Sequence, residues 1–308
     1  MALKLGELAT ILSVDAGPLD EGLGKAKEKV KEHGKSWKGI TLAAGAAAGA
    51  AAGAAIAVGL SGAIQQNKAT ALLQAQLGAT PAMAKSLGKI SGSLYAQGFG
   101  EDIGQVNDAL KGVWQNGLIP EDAADADIQR VTGKLITLST TMQEESGSVS
   151  RAVSQMLRTG MAKSAEEAFD TLQRGIEQGV NKSEDLLDTF NEYPTEFRKL
   201  GLSGTQAMGL LSQAIRAGAR DSDVAADALK EFTLRAVDGS TTTVAGFKAL
   251  GLNAEQMAAQ IGQGGASASK GLDVVLDRLR GIPDPVKRSQ VAVALFGSQA
   301  EDLGDALY

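Results

Sequence analysis

One stretch of this chain overlays another without a gap. Lys163 to Tyr193, KSAEEAFDTLQRGIEQGVNKSEDLLDTFNEY, aligns with Leu202 to Phe232, LSGTQAMGLLSQAIRAGARDSDVAADALKEF, at a constant shift of 39 residues. Ser164 falls on Ser203, Ala168 on Ala207, Leu172 on Leu211 and Ile176 on Ile215. Further along, Gly179 falls on Gly218, Ser183 on Ser222, Asp188 on Asp227 and Glu192 on Glu231, and Tyr193 meets Phe232. Leucine and isoleucine at three- and four-residue steps mark one face of a helix. The unit therefore reads as a helical hairpin. Its first helix ends at Gly179 or Gly218, two or three residues turn, and a serine caps the second helix. Such a unit cannot bury its apolar stripe alone, so it packs on the next unit or on another chain. Two shorter echoes support the pattern: FKALGLNAEQM from Phe247 repeats FRKLGLSGTQA from Phe197, and Asp108 to Lys111 recurs as Asp227 to Lys230.

The remaining text after Asn67 has the same character, amphipathic segments punctuated by Gly, Ser, Asp or Asn. Helices are predicted over residues 68–76, 81–96, 101–115, 121–143, 148–159, 164–178 and 183–199. Others are predicted over 203–217, 222–236, 241–249, 254–262, 266–280, 284–295 and 298–307. Ser164-Ala165-Glu166-Glu167 and Ser183-Glu184-Asp185 each place a capping oxygen ahead of acids, which suits orphan amides and the helix dipole. The fold class implied is mainly α. It consists of short helices and helical hairpins with a small N-terminal strand and no single compact globular core. Composition agrees, because 38 glycines break the helices and only 4% of residues are aromatic, which predicts thin cores joined through small residues.

The N-terminal part reads differently. LATILSV, residues 8–14, is short, apolar and partly β-branched, so it reads as a strand ending at Asp15-Ala16-Gly17-Pro18. Leu19 to Lys35 comes next as a helix of alternating charge, a solvated helix or a docking helix for an acidic partner. The lone histidine, His33, lies on it without ligand-type neighbours. Residues 39–67 carry no charge, and Ile40 to Ile64 is long enough to cross a bilayer as a helix. Gly45, Gly49 and Gly53 share one face, a ridge that lets helix backbones approach closely. Three readings stay open for this segment: a membrane helix, a helix packed against copies of itself, and a stretch without fixed structure. Its distance from the start is wrong for a cleavable signal. The predicted organisation is thus 1–38, strand and charged helix; 39–67, the Ala/Gly-rich apolar segment; 68–160, a helical region; and 161–308, the repeat-containing core region.

Chemistry is hard to find in these residues. There is no cysteine and a formal net charge of −6, against disulfides, thiolate chemistry and a basic nucleic-acid footprint. One histidine cannot make an HExxH pair, and no glycine cluster forms a P-loop or dinucleotide turn. Gly201-Leu202-Ser203-Gly204 lacks the spacing and the sheet of a nucleophile elbow. Glu101-Asp102 and Glu121-Asp122 sit at expected helix starts, and Asp122 to Asp127 lacks the turn of a calcium loop. No catalytic residue, cofactor-binding residue or metal ligand is assigned, and the chain does not read as an enzyme.

Phe197 to Phe232, and Phe247 to Leu303 with Gly265, Leu272 to Leu279 and Val291 to Gly297, resemble the core region of the bacteriophage tail tape measure family. The second block resembles the family's segment ending in a leucine-phenylalanine-glycine turn. The strand, lysine-rich helix and Ala/Gly stretch at the start are similar in kind. The resemblance implies a helical virion protein that scaffolds tail tube assembly, sets tail length and assists DNA delivery. It implies several copies of the chain within the tube lumen, assembled in the host cytoplasm, and contact with the host envelope during infection. The partners implied are the tail tube protein, tail assembly chaperones and tail tip or baseplate proteins, without sequence-specific nucleic acid binding. Family members are usually longer, so it implies either a piece of a longer protein or a short ruler. Read without the resemblance, the residues leave two alternatives: a membrane-active, pore-forming protein using residues 40–64, and a helical-repeat adaptor.

Overall fold

A computed structural model describes residues 74–303. The chain divides into two units, Met1–Ile64 and Gln65–Tyr308, and all described residues belong to the second. The predicted strand, the charged helix with His33 and the apolar segment at 40–64 lie outside the described residues.

The described residues are helical, with no strand among them. The first helices are α1 (Pro81–Ala96), α2 (Ile103–Gln115), α3 (Asp125–Met142), α4 (Ser146–Arg158) and α5 (Ala165–Glu177). They are followed by α6 (Leu186–Glu192), α7 (Pro194–Lys199), α8 (Gly204–Arg216) and α9 (Ser222–Arg235). The rest are α10 (Thr241–Ala249), α11 (Ala254–Gly262), α12 (Gly265–Arg280), α13 (Pro285–Phe296) and α14 (Gln299–Leu303).

Contacts between helices turn this order into an array. The first helices of successive hairpins stack as α1 on α3, α3 on α5 and α5 on α8, while α2 packs on α4, α4 on α6 and α6 on α9. Polar rungs cross both layers at nearly constant separation. Ser86 Oγ donates to Asp125 (2.7 Å) across 39 residues, and Lys134 Nζ pairs with Asp170 (3.0 Å) across 36. In the other layer Ser154 Oγ donates to the Asn116 carbonyl (2.6 Å) across 38 residues, and Thr233 to Glu196 (3.1 Å) across 37. The periodicity read from 163–232 therefore extends in space over α1 to α9, where sequence similarity alone does not reveal it.

The two copies of the repeat superpose in role as well as in sequence. Ser164 and Ser203 both cap, accepting from the Glu167 and Gln206 amides at 3.2 and 3.3 Å. Leu172 and Leu211 are both fully buried, as are Ala168 and Ala207. Gly179 and Gly218 both take positive φ, 76° and 114°. Beyond each glycine an apolar residue turns back: Val180 N–H donates to the Gly175 carbonyl and Ala219 N–H to that of Ala214, both at 2.9 Å or less. That is the six-to-one bond of a Schellman closure, and the same bond ends α1, α2, α4, α7 and α10. The shorter echo is equivalent too, since Asn253 caps α11 as Ser203 caps α8, and Phe197 and Phe247 are both buried.

Three local predictions are corrected. Ser183 does not cap a helix. Glu184 has φ 59°, the helix begins at Leu186, and Ser183 Oγ instead donates to the Arg220 carbonyl at 3.3 Å. The helix predicted over 183–199 is broken at Tyr193 by Pro194, whose ring and missing N–H favour a new first turn. The helix predicted from 121 starts at Asp125 after a turn, with Ala124 at its cap position.

Buried side chains from Leu87 to Leu303 join into one cluster, passed from hairpin to hairpin. The scarce aromatics are concentrated at its joints: Phe190, Phe197, Phe232, Phe247 and Phe296 are all fully buried. Small residues bring the helices close. A Cβ on Gly175 would lie 2.6 Å from the Met208 side chain, and one on Gly246 3.0 Å from Leu295.

Candidate interaction surface

Several of the acidic residues near the predicted helix starts serve the structure. Asp102 caps α2 by accepting from the Gln105 amide at 2.8 Å, and Asp125 accepts from Ser86. Asp127 pairs with Arg130 at 2.7 Å. Asp185, read in the sequence as an acid following the Ser183 cap, accepts from the Asp223 amide at 2.8 Å and so serves the start of α9. The nearby hydroxyls of Thr189 and Ser222 bond at 2.9 Å, tying the starts of α6 and α9 together. No signal within either helix predicts that exchange; only the 38-residue spacing does. Among the described residues no group of His, Asp and Glu is arranged to hold a metal ion. No described helix is long and apolar enough to cross a membrane.

What the array offers is a grooved face. A groove of about 690 Å³ lies between α1, α3 and α5, floored by Leu94, Phe99, Gly133, Leu138 and Phe169. Its rim carries Arg130, Lys134 and Asp170. A second depression of about 850 Å³ continues along the C-terminal half of α3 past Glu101, Glu144 and Glu145, and shares Phe99 and Thr137 with the first. Phe99 is the residue that closes α1. Its N–H donates to the Leu94 carbonyl at 3.0 Å while its ring lies against Gly133. Gly133 therefore sets how closely the two can approach.

The rim is held by ion pairs between α3 and α5. Arg130 bonds to both Asp127 and Glu166, and these carboxylates raise its pKa. Burial pushes the Glu166 carboxyl up, but its own backbone amide and Arg130 outweigh that and leave it below the ordinary range. On the far layer, Tyr193 is pushed well above an ordinary phenol by burial first, then by Asp223 and Asp227. Lys230 lies 5.6 Å above the Tyr193 ring and is raised by its bond to Asp227. This arrangement supplies apolar shape and fixed charge along one face of the array.

A family model described as phage-related minor tail protein matches residues 95–297, from the end of α1 to the glycine after α13. The chain is 49% identical over 293 residues to a probable tape measure protein of Streptomyces phage phiC31. That alignment covers 95% of this chain and 40% of the phage protein, so the chain spans well under half the length of its curated relative. No solved structure matches the chain.

Proposed function

The chain belongs to the phage-related minor tail protein family, and on that footing we propose that it works as a tail tape measure. It scaffolds polymerisation of the tail tube and counts its length. Several copies lie in the tube lumen, in contact with tube subunits and tail tip or baseplate proteins. Assembly chaperones hold them in the host cytoplasm beforehand, and the chain takes part in DNA delivery at the host envelope. Its role is structural rather than catalytic, with no cofactor and no sequence-specific nucleic acid binding.

The observation that carries this reading is the array itself, one hairpin per 36 to 39 residues joined by polar rungs at that spacing. A body made of equal units lets length be written as a number of residues, and it leaves the outer face free to hold other chains. The test is a phage whose gene lacks Lys163 to Gly201, one full period. Joining Ala162 to Leu202 keeps the cap, the seam and the closing glycine in register. If the region is counted in extended helical form, tails shorten by about 60 Å at about 1.5 Å per residue. Electron micrographs showing regular tails of unchanged length would defeat the ruler reading.

A further inference from the structure

Asn116–Gly117 is the one Asn-Gly step in the 308-residue sequence. Of all asparagine steps this one closes most readily to an imide, because glycine offers an unhindered backbone nitrogen to the side-chain amide. Here it forms the turn that ends α2. Asn116 has φ −90° and ψ 3°, Gly117 has φ 64°, and the Leu118 N–H donates back to the Val113 carbonyl at 3.0 Å. Water reaches the turn. Gly117 is exposed, and a depression of about 240 Å³ beside it is lined in part by Trp114, Pro120 and Arg158.

Three hydrogen bonds occupy the groups that would react. Asn116 Nδ2 donates to Ser150 Oγ at 2.8 Å, the Asn116 carbonyl accepts from Ser154 Oγ at 2.6 Å, and the Gly117 N–H donates to the Trp114 carbonyl at 3.2 Å. Both serines belong to α4 and are buried. Ser150 Oγ already donates to the Gly147 carbonyl at 3.0 Å, so toward position 116 it can only accept. Gly112 leaves it room, since a Cβ there would lie 3.0 Å from Ser150 Oγ. An asparagine suits this socket and a carboxylate does not, because a carboxylate oxygen would face a hydroxyl with no proton left to give.

We propose that Asn116–Gly117 is a deamidation site guarded by the α2–α4 seam, and that its reaction unlocks that seam irreversibly. When α4 withdraws, the Gly117 nitrogen bonds to the Asn116 side-chain carbonyl carbon. The bond from that carbon to Nδ2 breaks, and ammonia leaves with the Gly117 proton. Water then opens the resulting succinimide to aspartate or isoaspartate. Aspartate places charge at the negative end of the α2 dipole and has no donor for Ser150. Isoaspartate turns the carbonyl that Ser154 holds into a side carboxylate. This holds whether or not the array counts tail length.

Mass spectrometry of the whole chain, aged at mildly alkaline pH and then digested, tests the guard. Native chain should convert at Asn116 on the order of 100-fold more slowly than chain in denaturant, as three hydrogen bonds require. Ser150→Ala should speed native conversion about fivefold, one neutral bond's effect. Leu211→Ala, in the distant helix α8, should leave it unchanged. Equal rates in native and denatured chain overturn the guard, as does an inert Ser150→Ala. Equal acceleration by Leu211→Ala also overturns it, since protection would then come from folding as a whole. If Ser150→Ala fails to fold, Ser154→Ala removes the other α4 bond and must show the same acceleration. The unlocking is read by hydrogen exchange on Asn116→Asp and on wild-type chain aged to conversion. Amides of α4 and the last turn of α2 should exchange about tenfold faster, with those of α9–α13 unchanged. Unchanged exchange in α2 and α4, or equal acceleration throughout, refutes it.

Discussion

Hairpin α5–α7 and hairpin α8–α9 come from nearly the same sequence pattern and end up half alike. Their first helices match in cap, seam and closing glycine. Their second helices do not: α9 runs unbroken for 14 residues, whereas its counterpart is split by Pro194 into pieces of seven and six. Local rules govern the first half, since a serine cap, a leucine and an isoleucine four residues apart and a glycine suffice to fix a helix. The second half answers to its neighbours. The Pro194 break gives α7 its own direction, which brings the Gly201 turn against Gly265, while the unbroken α9 receives Phe296. The array is therefore regular in the layer of first helices and irregular in the other.

The equivalence of the first helices predicts the largest effect. Leu172→Ala and Leu211→Ala remove fully buried leucines at the same register, and each should cost about 2–5 kcal/mol. Matched positions should give costs agreeing within about 1 kcal/mol, read from denaturant midpoints at constant slope. Costs far outside that agreement would show that the repeat is a likeness of sequence without a likeness of packing.

Much of this is legible from residue order. The ends of α10 and α11 fall where Ser240, Asn253 and the flanking glycines put them, because caps and Schellman turns are closed within a few residues. Pro194 deceives because the surrounding leucines and acids keep helical spacing across it, and Ser183 because its hydroxyl finds a partner 37 residues away. The groove is invisible in the sequence for the same kind of reason. Phe99 lies in a short glycine-flanked turn and gains its meaning only when α3 brings Gly133 beneath it. The 38-residue exchange between Asp185 and Asp223 likewise exists only after the layers stack.

A smaller effect tests the caps. Ser203 forms both halves of a capping box, with its N–H donating to Gln206 Oε1 at 2.9 Å. Ser164 makes one half, and Glu167 instead accepts from the Lys163 amide at 2.7 Å. Ser164→Ala and Ser203→Ala should each cost about 1 kcal/mol. Gln206→Ala should weaken α8 by less, because the Ser203 hydroxyl still holds the Gln206 amide. An effect of Gln206→Ala equal to that of Ser203→Ala would mean that the side chain packs rather than caps.

The smallest effect separates the two copies by charge. Glu166 and Asp170 meet Arg130 and Lys134 on the preceding helix, but one period later their places are taken by Thr205 and Gly209. These two ion pairs therefore belong to the α3–α5 interface and have no counterpart at the matching positions of α8. The Glu166 carboxyl is held below its ordinary value in the folded chain. Its contribution is thus present above the unfolded value of about 4.3 and is lost as the pH falls through the lower folded value. Glu166→Gln should flatten the acid limb of the stability curve below about pH 4.3 and leave the limb above neutrality unchanged. Salt should shrink the difference between the two proteins, because the side chains of Arg130 and Glu166 are 49% and 30% exposed and surface pairs are screened. Thr205→Val, at the matching position of the second copy, should leave the acid limb where it is. A shift there of the size seen for Glu166→Gln would mean that acid unfolding starts elsewhere in the array and that this pair does not set it.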